Sequence, residues 1–261
     1  MELTQRAESS KTSTVDGSAY VVELVAGLLY LPAAAYLLRL AARTGQLPER
    51  LLGWNFACVG GSYVLYAAPS GLSLEAETPW YLAGRIVYGI GCMLVAVFTR
   101  RAFRPTGRWA GAVVWGCVLV FWSGVAVSCL TGDPSGFSLA DPGFWLEWCA
   151  EIVPYAWLTA EAILARRRAR RRLRIGLSDP HLCNRFLLWG LFGGLQLSAA
   201  ILMVPLYTAY ALVGSFTSHM DMILGSFEIA SVVMIWLAFA PPPSYRRWIE
   251  QLAAEPDAEA F

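Results

Sequence analysis

Seven long, nearly uninterrupted apolar runs leave this chain few folds to choose from. They cover residues 20–42, 51–72, 81–99, 109–130, 144–165, 182–213 and 219–240. About 20 mostly apolar residues in a helix cross a ~30 Å hydrocarbon core, and these runs meet or approach that length. They are continuous rather than alternating, and about twice as long as a barrel strand. A helix satisfies its own backbone hydrogen bonds where no water is present, so each run is predicted to be helical. Composition agrees: 57% of the chain is hydrophobic and 15% charged, against roughly 45–50% and 25% in soluble domains. The mean hydropathy is +0.50. The expected fold is all-α, a polytopic membrane protein forming a seven-transmembrane-helix bundle.

Arginine placement orients the bundle, because cytoplasmic loops collect Arg and Lys. Arg43 and Arg50 lie between the first two runs, and Arg100, Arg101, Arg104 and Arg108 between the third and fourth. Arg166, Arg167, Arg168, Arg170, Arg171, Arg172 and Arg174 separate the fifth from the sixth, and Arg246 and Arg247 follow the seventh. The alternate connections carry Glu75 and Glu77, then Asp133 and Asp141, then no charge. All basic segments share one side if the N-terminus is outside and the C-terminus cytoplasmic. Residues 1–18 are polar and of mixed charge, unlike a signal peptide, and read as a disordered tail before the bundle at 19–240. Among 20 Lys and Arg residues only Lys11 is lysine. That usage points to a GC-rich, bacterial source and so to the cell membrane.

The arginines from Arg166 to Arg174 resemble a nucleic-acid patch in composition. Beside a membrane span they read instead as a topology signal that anchors anionic lipid headgroups, and no nucleic-acid partner is expected. After residue 240 the Pro241–Pro243 run must end the helix, since proline lacks the N–H donor. Tyr245, Trp248, Ile249 and Leu252 then recur at helical spacing. Residues 241–261 are therefore predicted as a short amphipathic cytoplasmic helix and an acidic tail, with no soluble module following.

Several chemistries are excluded. The chain has no HExxH, P-loop or GxSxG pattern. Its two histidines, His181 and His219, fall near opposite faces, too few for a three-histidine zinc site and badly placed for a bis-histidine haem. Microbial rhodopsins share the span count and orientation but hold retinal on a lysine of the seventh span. Lys11 lies in the tail, so covalent retinal is excluded and no cofactor is predicted. The six cysteines lack CxxC spacing and mostly read as apolar packing residues. Cys129 and Cys149, near the outer ends of adjacent spans, are a candidate disulfide.

Ionisable residues inside spans cost about 2.5–3.5 kcal/mol each near the centre and so point to function. Glu23 lies about one turn into the first span and Arg85 a little over one turn into the third. Glu147 and Glu151 share one face of the fifth at i and i+4, and His219 and Asp221 open the seventh. Together they predict an outward-facing polar cavity in which Arg85 neutralises one or two carboxylates. Glu228, ~14 Å into the seventh span by helical rise, is nearest the midplane. It is the candidate proton site, with Gln196 at similar depth as a hydrogen-bond partner. Glu161, near the Arg166–Arg168 run, is expected to pair there as a structural residue.

The segment Glu228-x7-Trp236-Leu237-Ala238-Phe239-Ala240-Pro241-Pro242, then Tyr245-Arg246-Arg247-Trp248, resembles the end of the seven-span membrane input region of bacterial sensor proteins such as histidine kinases. The resemblance covers about twenty residues plus span count and orientation. In that family the last span leads into a signalling module; none follows here, which implies output through a partner. The leading expectation is a receptor-like sensor that takes a small ligand or proton from the outer side and signals through a cytoplasmic protein. Its ligand-binding candidates are Glu23, Arg85, Glu147, Glu151, His219, Asp221 and Glu228. The alternative is a small secondary transporter or channel, proton-coupled through Glu228. A third reading is a membrane metalloenzyme using Glu147, Glu151, His219 and Asp221 as hard ligands.

Overall fold

The computed structural model describes residues 24–25, 27–72, 78–131, 139–213 and 218–254; the side chains of 70–72, 207, 210–213, 218–221 and 253–254 lie outside that description. Among the described residues the fold is entirely helical, with eight helices. They are α1 (residues 27–44), α2 (Leu47–Leu72), α3 (Thr78–Phe103), α4 (Arg108–Thr131), α5 (Pro142–Leu173), α6 (Pro180–Val213), α7 (Ser218–Phe239) and α8 (Pro243–Ala254). Each of the seven apolar runs is helical over its described part, except Ala240, which lies just past the end of its helix. Four helical stretches are long and apolar enough to cross a membrane: Thr78–Phe103, Arg108–Thr131, Pro180–Leu206 and Met222–Phe239.

Local signals set the helix ends. Gly45 takes φ +68°, and its N–H returns to the Ala41 carbonyl at 2.9 Å, which closes α1 before a two-residue link. Asp141 caps α5 through the Gly143 N–H at 3.0 Å, with Pro142 in the first turn, where a missing N–H is harmless. The proline run both stops α7 and starts α8, since Pro243 is the first residue of the new helix.

Two local expectations are corrected. The arginines from Arg166 to Arg172 do not form a loop: α5 continues through them to Leu173, and Arg174 is its C-cap. Arginine is a good helix former, and nothing in the run breaks the helix. Glu161 does not pair with its own downstream arginines but with Arg104 after α3, at 2.7 Å. Arg166, five residues on, is turned well away from Glu161 around the helix, whereas the buried Glu161 faces the α3–α5 contact.

Neighbouring helices pack in chain order, α2 on α3, α4 on α5, α5 on α6 and α6 on α7, with α5 also crossing α3. The core is a ladder of edge-to-face aromatic contacts. Tyr30 meets Phe56 at 5.1 Å, Phe56 meets Phe192 at 5.7 Å, and Phe192 meets Tyr155 at 6.1 Å. Toward the α8 end, Trp189 meets Phe98 edge-to-face at 5.1 Å and Phe239 in a tilted contact at 6.1 Å. The polarity is inverted relative to a water-soluble bundle. Trp115 and Leu119 on α4 are 65% and 67% exposed, while Arg85, Glu147, Asp141 and Gln196 are buried.

Candidate functional site

Two clusters of interior polar side chains contain candidates predicted from the sequence. The first joins α3, α4 and α5. Its geometry starts from two glycines, Gly124 on α4 and Gly143 on α5. A Cβ at Gly143 would lie 2.6 Å from the Gly124 carbonyl, and one at Gly124 would lie 2.9 Å from the Gly143 carbonyl. Only hydrogen at both positions lets the two backbones approach this closely.

That approach brings Ser128 and Glu147 within reach of Arg85 on α3. The Arg85 Nε donates to Glu147 Oε2 at 2.6 Å, and its Nη2 donates to Glu147 Oε1, forming a two-pronged ion pair. The same Nη2 donates to Ser128 Oγ at 2.6 Å, and Ser128 in turn donates to Asp141 Oδ2. Asp141 Oδ1 accepts from Thr131 Oγ1 at 3.1 Å and from the Gly143 N–H. Arg85, Glu147 and Asp141 are each 5% exposed and Ser128 is fully buried. One cation thus faces two carboxylates inside the fold, one directly and one through a hydroxyl. Burial by itself pushes the Asp141 carboxyl up. The Ser128, Gly143 and Thr131 hydrogen bonds and the Arg85 charge outweigh it and hold Asp141 below the usual carboxylate range.

The second cluster joins α1, α6 and α7. Glu228 Oε2 accepts from the Tyr30 hydroxyl and from Gln196 Nε2 at 2.8 Å, and Gln196 Nε2 also donates to the Tyr30 oxygen at 3.0 Å. Tyr63 on α2 flanks the group, its ring 6.1 Å from that of Tyr30. Tyr30 and Gln196 are buried and Glu228 half-buried. Among the described residues no cation pairs with Glu228; the three ion pairs are Arg85–Glu147, Arg104–Glu161 and His181–Glu250.

Of the seven ligand-binding candidates, Arg85 and Glu147 come together. Glu151 lies one turn further along α5, near both charges. Glu228 belongs to the other cluster, with Gln196 as its hydrogen-bond partner. Glu23 lies outside the described residues, and so do the side chains of His219 and Asp221 in the first turns of α7. Among the described residues no group of three or more His, Cys, Asp or Glu side chains is placed to hold a metal ion. All six cysteines are free thiols, with Cys129 and Cys149 exposed.

Four members of these clusters escaped the sequence reading as site residues: Tyr30, Ser128, Thr131 and Asp141. A tyrosine or serine within an apolar run has no signal of its own, and Asp141 looked like a loop charge. The available hint was its place directly before Pro-Gly, a capping pattern. No family model, curated protein or solved structure matches the chain, so what these clusters can do rests on their own chemistry.

Proposed function

We propose that the chain is a multi-pass protein of the cell membrane, with seven spanning helices, its N-terminus outside and α8 on the cytoplasmic face. In this reading it is a receptor-like sensor for a proton or small ligand arriving from the outer side. The observation that carries the proposal is the Glu228 cluster. A carboxyl on α7 is tied to α1 by Tyr30 and to α6 by Gln196, with no cation beside it among the described residues. Changing its charge changes the cost of keeping it inside a low-dielectric bundle, and the helix that carries it ends at the proline junction with α8. A signal acts only if it favours one packing over another, and α7 touches both the carboxyl and the exit. Output then passes through α8 to a cytoplasmic partner. The Arg85–Glu147 pair braces α3 against α5 beside this path.

The orientation draws support from the arginine distribution and from Arg104 meeting Glu161 at the arginine-rich end of α5. A fluorescent-protein fusion to Phe261 is expected to fluoresce in cells. A fusion active only in an extracytoplasmic reporter assay overturns the topology.

The function is tested with the proton as the probe. The full chain in lipid nanodiscs carries spin labels on α4 and at Ser244→Cys of α8, and pH is stepped while infrared difference spectra follow carboxyl stretches. The expected result is a carboxyl band and a label-distance change that both vanish in Glu228→Gln. Fixed distances while the Glu228 band titrates overturn the sensor reading. Proton flux into liposomes that Glu228→Gln abolishes replaces it with transport.

A further inference from the structure

At the opposite end of α7 from His219, the start of α6, the end of α7 and α8 line a half-open cavity of about 330 Å³. Helix α8 is seated over this end by Tyr245, whose hydroxyl donates to Asn184 Oδ1 at 3.1 Å, and by His181, which meets Glu250 at 3.2 Å. Ile249 is 1% exposed beneath it. Its lining includes Arg185 and Arg246 together with apolar groups such as Leu237, Phe239 and Ile249.

The donors around this space outnumber their partners. None of the three ion pairs among the described residues uses Arg185 or Arg246. Arg185 lies over the Phe239 ring, 5.5 Å from its centre, a contact that orients the guanidinium without using its N–H groups. Asn184 accepts through its oxygen, which leaves its NH₂ as a donor. The one carboxylate at the rim, Glu250, is engaged by His181.

We propose that this cavity binds a phosphate group carried on an apolar stem. A carboxylate has two oxygens, and one guanidinium serves them both. Two guanidiniums and an amide converging on one space suit the three or four oxygens of a phosphate, and the apolar lining suits a glycerol or acyl stem. Two sources share that chemistry, an anionic lipid headgroup and a soluble phosphate ester. The lipid source rests on the membrane reading above. It is favoured by α8, whose exposed Arg246, Arg247 and Trp248 suit the headgroup layer.

The test uses the full chain in neutral detergent, with thermal melting and native mass spectrometry as readouts. The probes are phosphatidylglycerol, phosphatidylcholine, glycerol 3-phosphate and inorganic phosphate. Phosphatidylglycerol is expected to raise the melting temperature and to bind about tenfold more weakly to the Arg185→Gln/Arg246→Gln variant. A matching rise with glycerol 3-phosphate identifies a site for soluble esters as well; a rise with phosphatidylglycerol alone identifies the headgroup. Arg185→Lys/Arg246→Lys keeps both charges and retains part of the rise. If the double glutamine variant melts low without ligand, Arg246→Gln alone, on the exposed α8 surface, is expected to give a partial loss. Binding that is unchanged in the variants, absent from the wild type, or equal for phosphatidylcholine overturns the proposal. An α8 shown to lie outside the cell, with binding still dependent on Arg185 and Arg246, overturns the topology and leaves the site standing.

Discussion

The Arg85 cluster and the Glu228 cluster are both buried polar groups that join three helices, yet they handle a carboxylate in opposite ways. Around Arg85 a full positive charge sits between two carboxylates, and every bond shown for Glu147 comes from that charge. Around Glu228 the donors are neutral, the phenols of Tyr30 and Tyr63 and the amide of Gln196. A buried ion pair is sensitive to the loss of either member, because the survivor becomes an isolated charge. A carboxyl held by neutral donors is less sensitive to its own protonation, since its partners remain usable in either state. The first arrangement suits a fixed brace and the second a group that changes state.

The comparison can be broken most forcefully at Arg85. Arg85→Met leaves Glu147 buried without its cation and is expected to cost about 3–5 kcal/mol. Arg85→Met/Glu147→Leu is expected to recover most of that, because Glu147 is gone and Asp141 keeps its Ser128, Thr131 and Gly143 hydrogen bonds. Chemical or thermal denaturation in detergent measures both. A single-variant loss under about 1 kcal/mol denies that the pair is a closed brace.

A second, smaller effect concerns the approach of α4 to α5. Gly143→Ala places a methyl carbon against the Gly124 carbonyl and is expected to cost about 1–3 kcal/mol by overpacking. The same displacement separates Ser128 from Arg85, so Ser128→Ala should lose little further stability in that background. Full additivity of the two losses in a double-mutant cycle counts against the coupling.

At the other cluster the expected effects are lower. Tyr30→Phe removes one donor to Glu228 and should cost about 1 kcal/mol. Glu228→Gln keeps an acceptor and should also cost no more than about 1 kcal/mol. Glu147→Gln, the same chemical change beside Arg85, is expected to cost several times more. Equal penalties for the two glutamate-to-glutamine changes erase the distinction between the clusters.

The smallest effect is a pH dependence at the Arg85 cluster. Asp141 is held below its ordinary value of 3.8 in the folded state. Its contribution to stability is therefore complete above that unfolded value and is lost as pH falls through the lower folded value. Acid melting curves should show this loss below about pH 4 in the wild type, and the Asp141→Asn variant should lack it. Identical acid limbs in the two proteins would remove Asp141 from the linkage.

Much of this organisation is written in local sequence. Apolar runs of helical length dictate helices wherever water is excluded. Pro142 and the Pro241–Pro243 run mark helix ends because a ring nitrogen cannot donate, and Gly45 marks another because it accepts positive φ. The i, i+4 spacing of Glu147 and Glu151 and the similar depth of Gln196 and Glu228 could also be read directly from residue number. Pairing could not. That Arg85 meets Glu147, 62 residues away, depends on the near-contact of Gly124 and Gly143, and glycines on two helices carry no mark of which neighbour they will touch. That Glu161 meets Arg104 rather than the seven arginines beyond it on its own chain depends on helical phase and on the crossing of α3 with α5. The cavity under α8 needs three chain segments, each ordinary by itself. Backbone geometry follows from residues a few positions apart, whereas a site needs side chains from distant positions to share one small volume, and only packing decides which ones do.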